Sequence, residues 1–193
     1  MTEQSSTPYH LQISETIGEF LEVYLSPGSD ELFIVGHSGI VTISLSTETL
    51  ISHVISPQCT VVGQQQGPDG WQCVIHENST LVNRGLIGDT YSDTLLDTPI
   101  ESPYTASWSH CGQYVAVGST GTSVSVWDTR TGELVLRKNI SWGEEEELLT
   151  SPTLSVMGWL SAELKFVTVA EYLAASAVVV WDLETQGLTA HIE

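Results

Sequence analysis

The sequence predicts an all-β chain of about four successive four-stranded antiparallel units. Three observations predict it. Short runs alternating polar and apolar residues fill the chain, turn residues punctuate them, and the same order of runs recurs along its length. Helical periodicity is scarce.

The clearest unit lies between Tyr104 and Leu136. Thr105 to Ser109 form one strand, and His110-Cys111-Gly112-Gln113 a turn. Tyr114 to Gly118 form a second strand, and Ser119 to Thr122 a second turn. Ser123-Val124-Ser125-Val126-Trp127-Asp128 alternates as a half-buried strand does. Arg130-Thr131-Gly132 then turns the chain into Glu133 to Leu136. The order recurs downstream in Ser155–Leu160, Lys165–Val169 and Ala177–Asp182. Upstream it recurs in Leu21–Gly28, Glu31–Gly36 and Gly39–Leu45. A degenerate copy lies between, in Cys59–Val62, Trp71–His76 and Ser79–Asn83, with a Gly67-Pro68-Asp69-Gly70 turn.

Aligning Ile43, Asn83, Trp127 and Trp181 gives spacings of 40, 44 and 54 residues. That period, with Trp127-Asp128 and Trp181-Asp182 each closing a strand before a glycine-containing turn, resembles the WD-repeat β-propeller family. The resemblance runs from about His10 to Glu193. It implies about four blades of four antiparallel strands, with approximate units 10–50, 51–96, 97–137 and 138–193 after a flexible N-terminus, 1–9. There are departures. Gly36-His37 follows a second strand instead of preceding a first one. Ser119-Thr120-Gly121 and Ala174-Ala175-Ser176 stand where family members often carry an aspartate. An incomplete His-Ser-Trp-Asp hydrogen-bond network is therefore expected, with greater reliance on apolar packing between sheets.

Four units is an awkward number. Propellers close with roughly 4 to 8 blades, and the resemblance implies about seven. The chain is then part of a longer protein, an open propeller completed by a copy of itself or another subunit, or a four-bladed ring. Unsealed blade faces and strand edges are sticky, which favours the first two.

Composition bounds the function. The net charge of −19 comes from only 5 Lys and Arg against 24 Asp and Glu. Phosphate binding needs clustered cations, so nucleic acid and anionic membranes are disfavoured as partners. A basic protein segment is compatible with this field. Cys59, Cys73 and Cys111 have neither C-x-x-C spacing nor an even count, which suggests buried reduced thiols in a cytoplasmic or nuclear protein. The polar start and the absence of a long apolar stretch suggest neither signal peptide nor membrane helix.

Candidate sites are few. Trp142 followed by Glu144-Glu145-Glu146-Glu147, in the long connection between the third and fourth units, is the candidate partner-binding loop, an apolar anchor beside a docking charge. A solvated charge run is the alternative. Gly88 to Ser102 looks like an extended acidic connection carrying Asp89, Asp93, Asp97 and Glu101, without the residue order of a calcium loop. Trp108, Trp127, Trp159 and Trp181 are expected in the core, and Trp71, beside a turn, is the aromatic expected to be exposed. Six scattered histidines offer no metal spacing. No nucleophile or phosphate-loop motif is present. No catalytic residue, metal or cofactor is therefore expected. The reading is a non-catalytic scaffold or adaptor with an acidic surface. The alternative is an obligate structural subunit whose open propeller is completed by a partner chain or by self-association, and a propeller enzyme is the remaining class.

Overall fold

The computed structural model describes residues 20–25, 31–36, 39–47, 49–53, 60–67, 70–87, 90–97, 99–120, 123–139, 153–160, 164–172 and 175–192. These form strands joined by turns. Among them no helix is long and apolar enough to cross a membrane.

Every sheet has four strands, consecutive in sequence and antiparallel. Blade 1 holds β1 (Phe20–Leu25), β2 (Glu31–Gly36), β3 (Gly39–Ser44) and β4 (Thr49–His53). Blade 2 holds β5 (Thr60–Gly67), β6 (Gly70–Glu77), β7 (Thr80–Ile87) and β8 (Thr90–Leu96). Blade 3 holds β9 (Pro103–Trp108), β10 (Tyr114–Ser119), β11 (Ser123–Asp128) and β12 (Leu134–Asn139). Blade 4 holds β13 (Thr153–Trp159), β14 (Lys165–Tyr172), β15 (Ala175–Asp182) and β16 (Gly187–Ile192).

The chain divides into two compact units, 1–59 and 60–193. The first contains blade 1, where Ile34, Val41 and Ile43 are buried together with Leu32 packed against them. The second contains blades 2 to 4, with β5 packed on β9 and β9 packed on β13.

Blade 3 shows why alternation produces this stack. Successive side chains on a strand point to opposite faces. Val115, Val117 and Trp127 join Val74, Leu81 and Leu96 of blade 2 in one core. Ala116, Val124, Val126 and Leu136 face the other way and join Leu154, Val156, Phe166 and Trp181 of blade 4 in another. A sheet buried on both faces therefore reads as nearly continuous apolar runs at its centre. Each fully buried Val or Leu contributes about 1.5–3 kcal/mol.

Glycine sets the spacing at both junctions. Gly118, opposite Thr105 in the register, lies so close to blade 4 that a Cβ would collide with the Leu154 carbonyl oxygen. In blade 2 the matching pair is Gly63 and Val74, and a Cβ on Gly63 would lie 2.7 Å from the Ala106 carbonyl oxygen. Each junction thus carries one glycine in the same paired place.

Candidate functional site

The two Trp-Asp pairs occupy the same register position. Trp127 lies opposite Val115 and Trp181 opposite Phe166. In blade 2 that position belongs to Leu86, opposite Trp71, and not to Asn83, which pairs with Val74 in mid-sheet. The repeat marks are therefore Ile43, Leu86, Trp127 and Trp181. Blade 2 carries its tryptophan on the facing strand, and Trp71 is buried, not exposed.

Both aspartates do the same local work. Asp128 Oδ1 accepts the backbone N–H of Arg130 at 2.8 Å and of Thr131 at 3.2 Å. Asp182 Oδ1 accepts those of Glu184 at 2.9 Å and Thr185 at 3.0 Å. An Asx turn of this kind satisfies N–H groups that the ladder leaves unpaired. The free ends meet the start of the second strand: Gln113 Nε2 donates to Asp128 Oδ2 at 3.2 Å, and Lys165 Nζ lies 4.0 Å from Asp182 Oδ2. Burial pushes the Asp128 carboxyl up. The N–H of Arg130, the Gln113 amide and the N–H of Thr131 outweigh it and hold the carboxyl below its ordinary value. Gly132 closes the turn at φ 76°, in the left-handed region that glycine adopts freely, and its N–H returns to Asp128 O at 2.8 Å.

The tryptophans then tie the blades together. Trp108 Nε1 donates to Asn83 Oδ1 at 3.1 Å, from blade 3 to blade 2. Trp127 Nε1 donates to the Asp97 carbonyl at 2.6 Å, just past β8. Trp159 Nε1 donates to the Ser107 carbonyl at 2.9 Å, from blade 4 to blade 3. Trp181 Nε1 instead stays within its blade, on Thr168 Oγ1 at 2.8 Å. The register explains the difference, because Val117 in blade 3 stands where Thr168 stands in blade 4. Trp108, Trp127 and Trp181 are buried and Trp159 is half-buried in an aromatic row with Tyr114 and Phe166. The expected emphasis on apolar packing needs this addition: three of these indoles bond across a blade junction.

The acidic connection is also corrected. Within Gly88 to Ser102, Thr90–Leu96 is the outer strand β8, and Asp89 lies outside the described residues. Asp93 makes a two-pronged pair with Arg84, both contacts at 2.7 Å, and that hydrogen-bonded guanidinium holds its carboxyl below the usual range. Asp97 fastens blade 2 to blade 3. Its N–H donates to Gly132 O, and its Oδ1 accepts the Leu134 N–H, both at 2.8 Å. Trp142 and Glu144 to Glu147 lie outside the described residues.

One feature had no strong sequence signal. Between the β8–β9 connection and the rim of blade 3 lies a polar groove of about 500 Å³, lined by Glu101, Ser102, Ser119, Thr120, Ser123 and Arg137 among others. Arg137 donates to Ser125 Oγ and to the Pro99 carbonyl, each at 3.0 Å, and so holds the connection against β12. Buried Ile100 anchors the connection from beneath. Such a groove offers hydroxyls and main-chain groups to a polar ligand. Cys73 is buried, but Cys111 is exposed in the β9–β10 turn, so the expectation of buried thiols fails there. Among the described residues, no three His, Cys, Asp or Glu side chains gather as metal ligands.

No family model and no curated protein matches the sequence. Solved structures do. Kuenenia stuttgartiensis hydrazine synthase is similar at 12% identity with a TM-score of 0.67, over 99% of this chain and 52% of that one. The Dos1 propeller is similar at 17% identity with a TM-score of 0.62, over 89% of this chain and 45% of that one. The chain spans about half the length of each. Likeness at these identities is of fold, and the fold is a partial β-propeller of four-stranded antiparallel sheets.

Proposed function

We propose that this propeller is of the WD-repeat kind and serves as a non-catalytic scaffold that holds a basic segment of another protein. The observation that supports this most is where the cations go. Of the five, Arg84 is engaged with Asp93, Lys165 faces Asp182 and Arg137 is tied to Ser125 and Pro99. Glu101, Glu133, Glu171 and Glu184 are exposed. A stack joined by indole hydrogen bonds presents this charge without paying much ordering entropy on binding. Nucleic acid and anionic membrane are not the partners in this reading, and the protein acts in the cytoplasm or nucleus.

Fluorescence anisotropy with a labelled Lys/Arg-rich peptide tests it. Binding should weaken steeply with salt and should fall when Glu144 to Glu147 are changed to Gln. Equal binding of a neutral peptide of the same length would remove the reading.

A second reading, an obligate subunit completed by another chain or by self-association, is favoured by one observation. The chain spans 52% and 45% of its two propeller neighbours.

A further inference from the structure

Two tethers fix the wall of the polar groove beside blade 3. Arg137 donates to the Pro99 carbonyl at 3.0 Å, and the Thr120 N–H donates to the Ser102 carbonyl at 3.1 Å. The stretch from Pro99 to Ser102 is thus fastened to the blade at both ends, with Ile100 buried between them. A space of about 500 Å³ held in this way suits a compact ligand.

The polar groups that line it are unspent. In the turn at the other end of blade 3, Gln113, Asp128 and Thr129 all hydrogen-bond the chain through their side chains. In the groove, the side chains of Glu101, Ser102, Thr120 and Asn139 make no hydrogen bond to the described residues. Ser102 is also held at φ 46°, in the left-handed region where a non-glycine residue is uncommon. Strained backbone of this kind clusters at binding and active sites.

Charge sets the ligand class. Glu101 and Arg137 line the same groove, yet they form no ion pair with each other. Arg137 Nε and Nη2 are fixed on Ser125 Oγ and the Pro99 carbonyl, both neutral, so the guanidinium keeps its charge and its Nη1 hydrogens for another partner. A ligand of one charge would satisfy one of these two groups and be opposed by the other. A sugar would meet hydroxyls but no aromatic ring to stack on. We propose that the groove binds a small zwitterion of the α-amino acid class, its carboxylate on Arg137 and its ammonium on Glu101. An uncharged polar side chain then meets Ser102, Thr120 and Asn139. A ligand with no net charge also approaches a chain of net charge −19 without repulsion. The site goes beyond the scaffold reading and is independent of it.

Two-dimensional NMR titration of the full chain with L-serine, L-asparagine and L-glutamine tests it. At least one should shift the Ser102 and Thr120 N–H signals to saturation while those of Arg130 and Thr131, in the far turn, stay in place. Glu101→Gln should raise the Kd about tenfold, the usual cost of a charged hydrogen bond. Ser102→Gly should weaken binding while the Tm holds or rises, because glycine adopts the left-handed region freely. A merely structural Ser102 would not separate the two readouts in this way. The N-acetylated amino acid and the C-terminal amide, each lacking one charge, should bind about tenfold more weakly. Equal binding of the N-acetylated form would assign the groove to a peptide C-terminus and overturn the zwitterion. No saturable shift with any of the three amino acids, or affinity unchanged in Glu101→Gln, would overturn it as well.

Discussion

Trp108 and Asn83 are joined by a 3.1 Å hydrogen bond from the indole Nε1 to Oδ1 across the junction of blades 2 and 3, with both side chains buried. Asn83→Leu keeps roughly the same volume and strands the indole N–H away from water. The expected cost is about 1–3 kcal/mol. Urea denaturation measures it, and a cycle with Trp108→Phe should recover part of the loss in the double variant. Stability unchanged by Asn83→Leu would show that another acceptor takes over.

Gly118→Ala tests the junction spacing. The added Cβ meets the Leu154 carbonyl, a backbone atom that cannot rotate away. Overpacking of this kind costs about 1–3 kcal/mol, with loss of the near-ultraviolet signal of Trp159 at the same junction. Alanine at this site with wild-type stability would mean that the blades have room to separate.

The turn aspartates give a pH signature. The Asp128 carboxyl lies below its ordinary value in the folded chain. Its contribution is therefore complete above the unfolded carboxylate range, near pH 4, and is lost as pH falls through the lower folded value. Asp128→Ala should cost roughly 1 kcal/mol at neutral pH, and the deficit should shrink on acidification. Asp128→Asn keeps an acceptor and should lose less. Thermal melts at pH 7 and pH 3 measure both, and a deficit that grows in acid would contradict the assignment.

Cys111 and Cys73 should differ in reactivity. The Ser109 hydroxyl at 3.4 Å and the Gln113 N–H hold the exposed Cys111 thiol below its ordinary value, whereas Cys73 is fully buried. Iodoacetamide should label Cys111 in the folded chain and Cys73 only after denaturation. Ser109→Ala should move the labelling midpoint of Cys111 to higher pH. An unchanged midpoint would remove the role given to Ser109.

The strands and the Trp-Asp turns were legible because the signals are local. Asp128 reaches only two and three residues ahead, and alternation marks β11 directly. Blade 2 was harder, since β7 carries adjacent apolar pairs, Leu81-Val82 and Leu86-Ile87, around a polar middle, and has no tryptophan to fix the register. Trp71 was misplaced because a residue beside a Gly-Pro-Asp-Gly turn looks exposed until the facing strand is known. β8 was hidden by its polarity, since Ser92 and Asp93 are exposed on an outer strand. The links Trp108–Asn83 and Trp127–Asp97 join residues 25 and 30 apart. Alternation says which face an indole takes, but not which neighbour waits there.

Because β1 to β16 pair only with strands adjacent in sequence, every sheet closes through short loops. Native contacts within a sheet are therefore low in contact order, the condition under which β pairing escapes its usual slowness. Synthesis runs from the N-terminus and domains form as units during it. A nascent chain that has emerged as far as Asn139 already holds every strand of blades 1 to 3. Blade 4 then folds against a finished template.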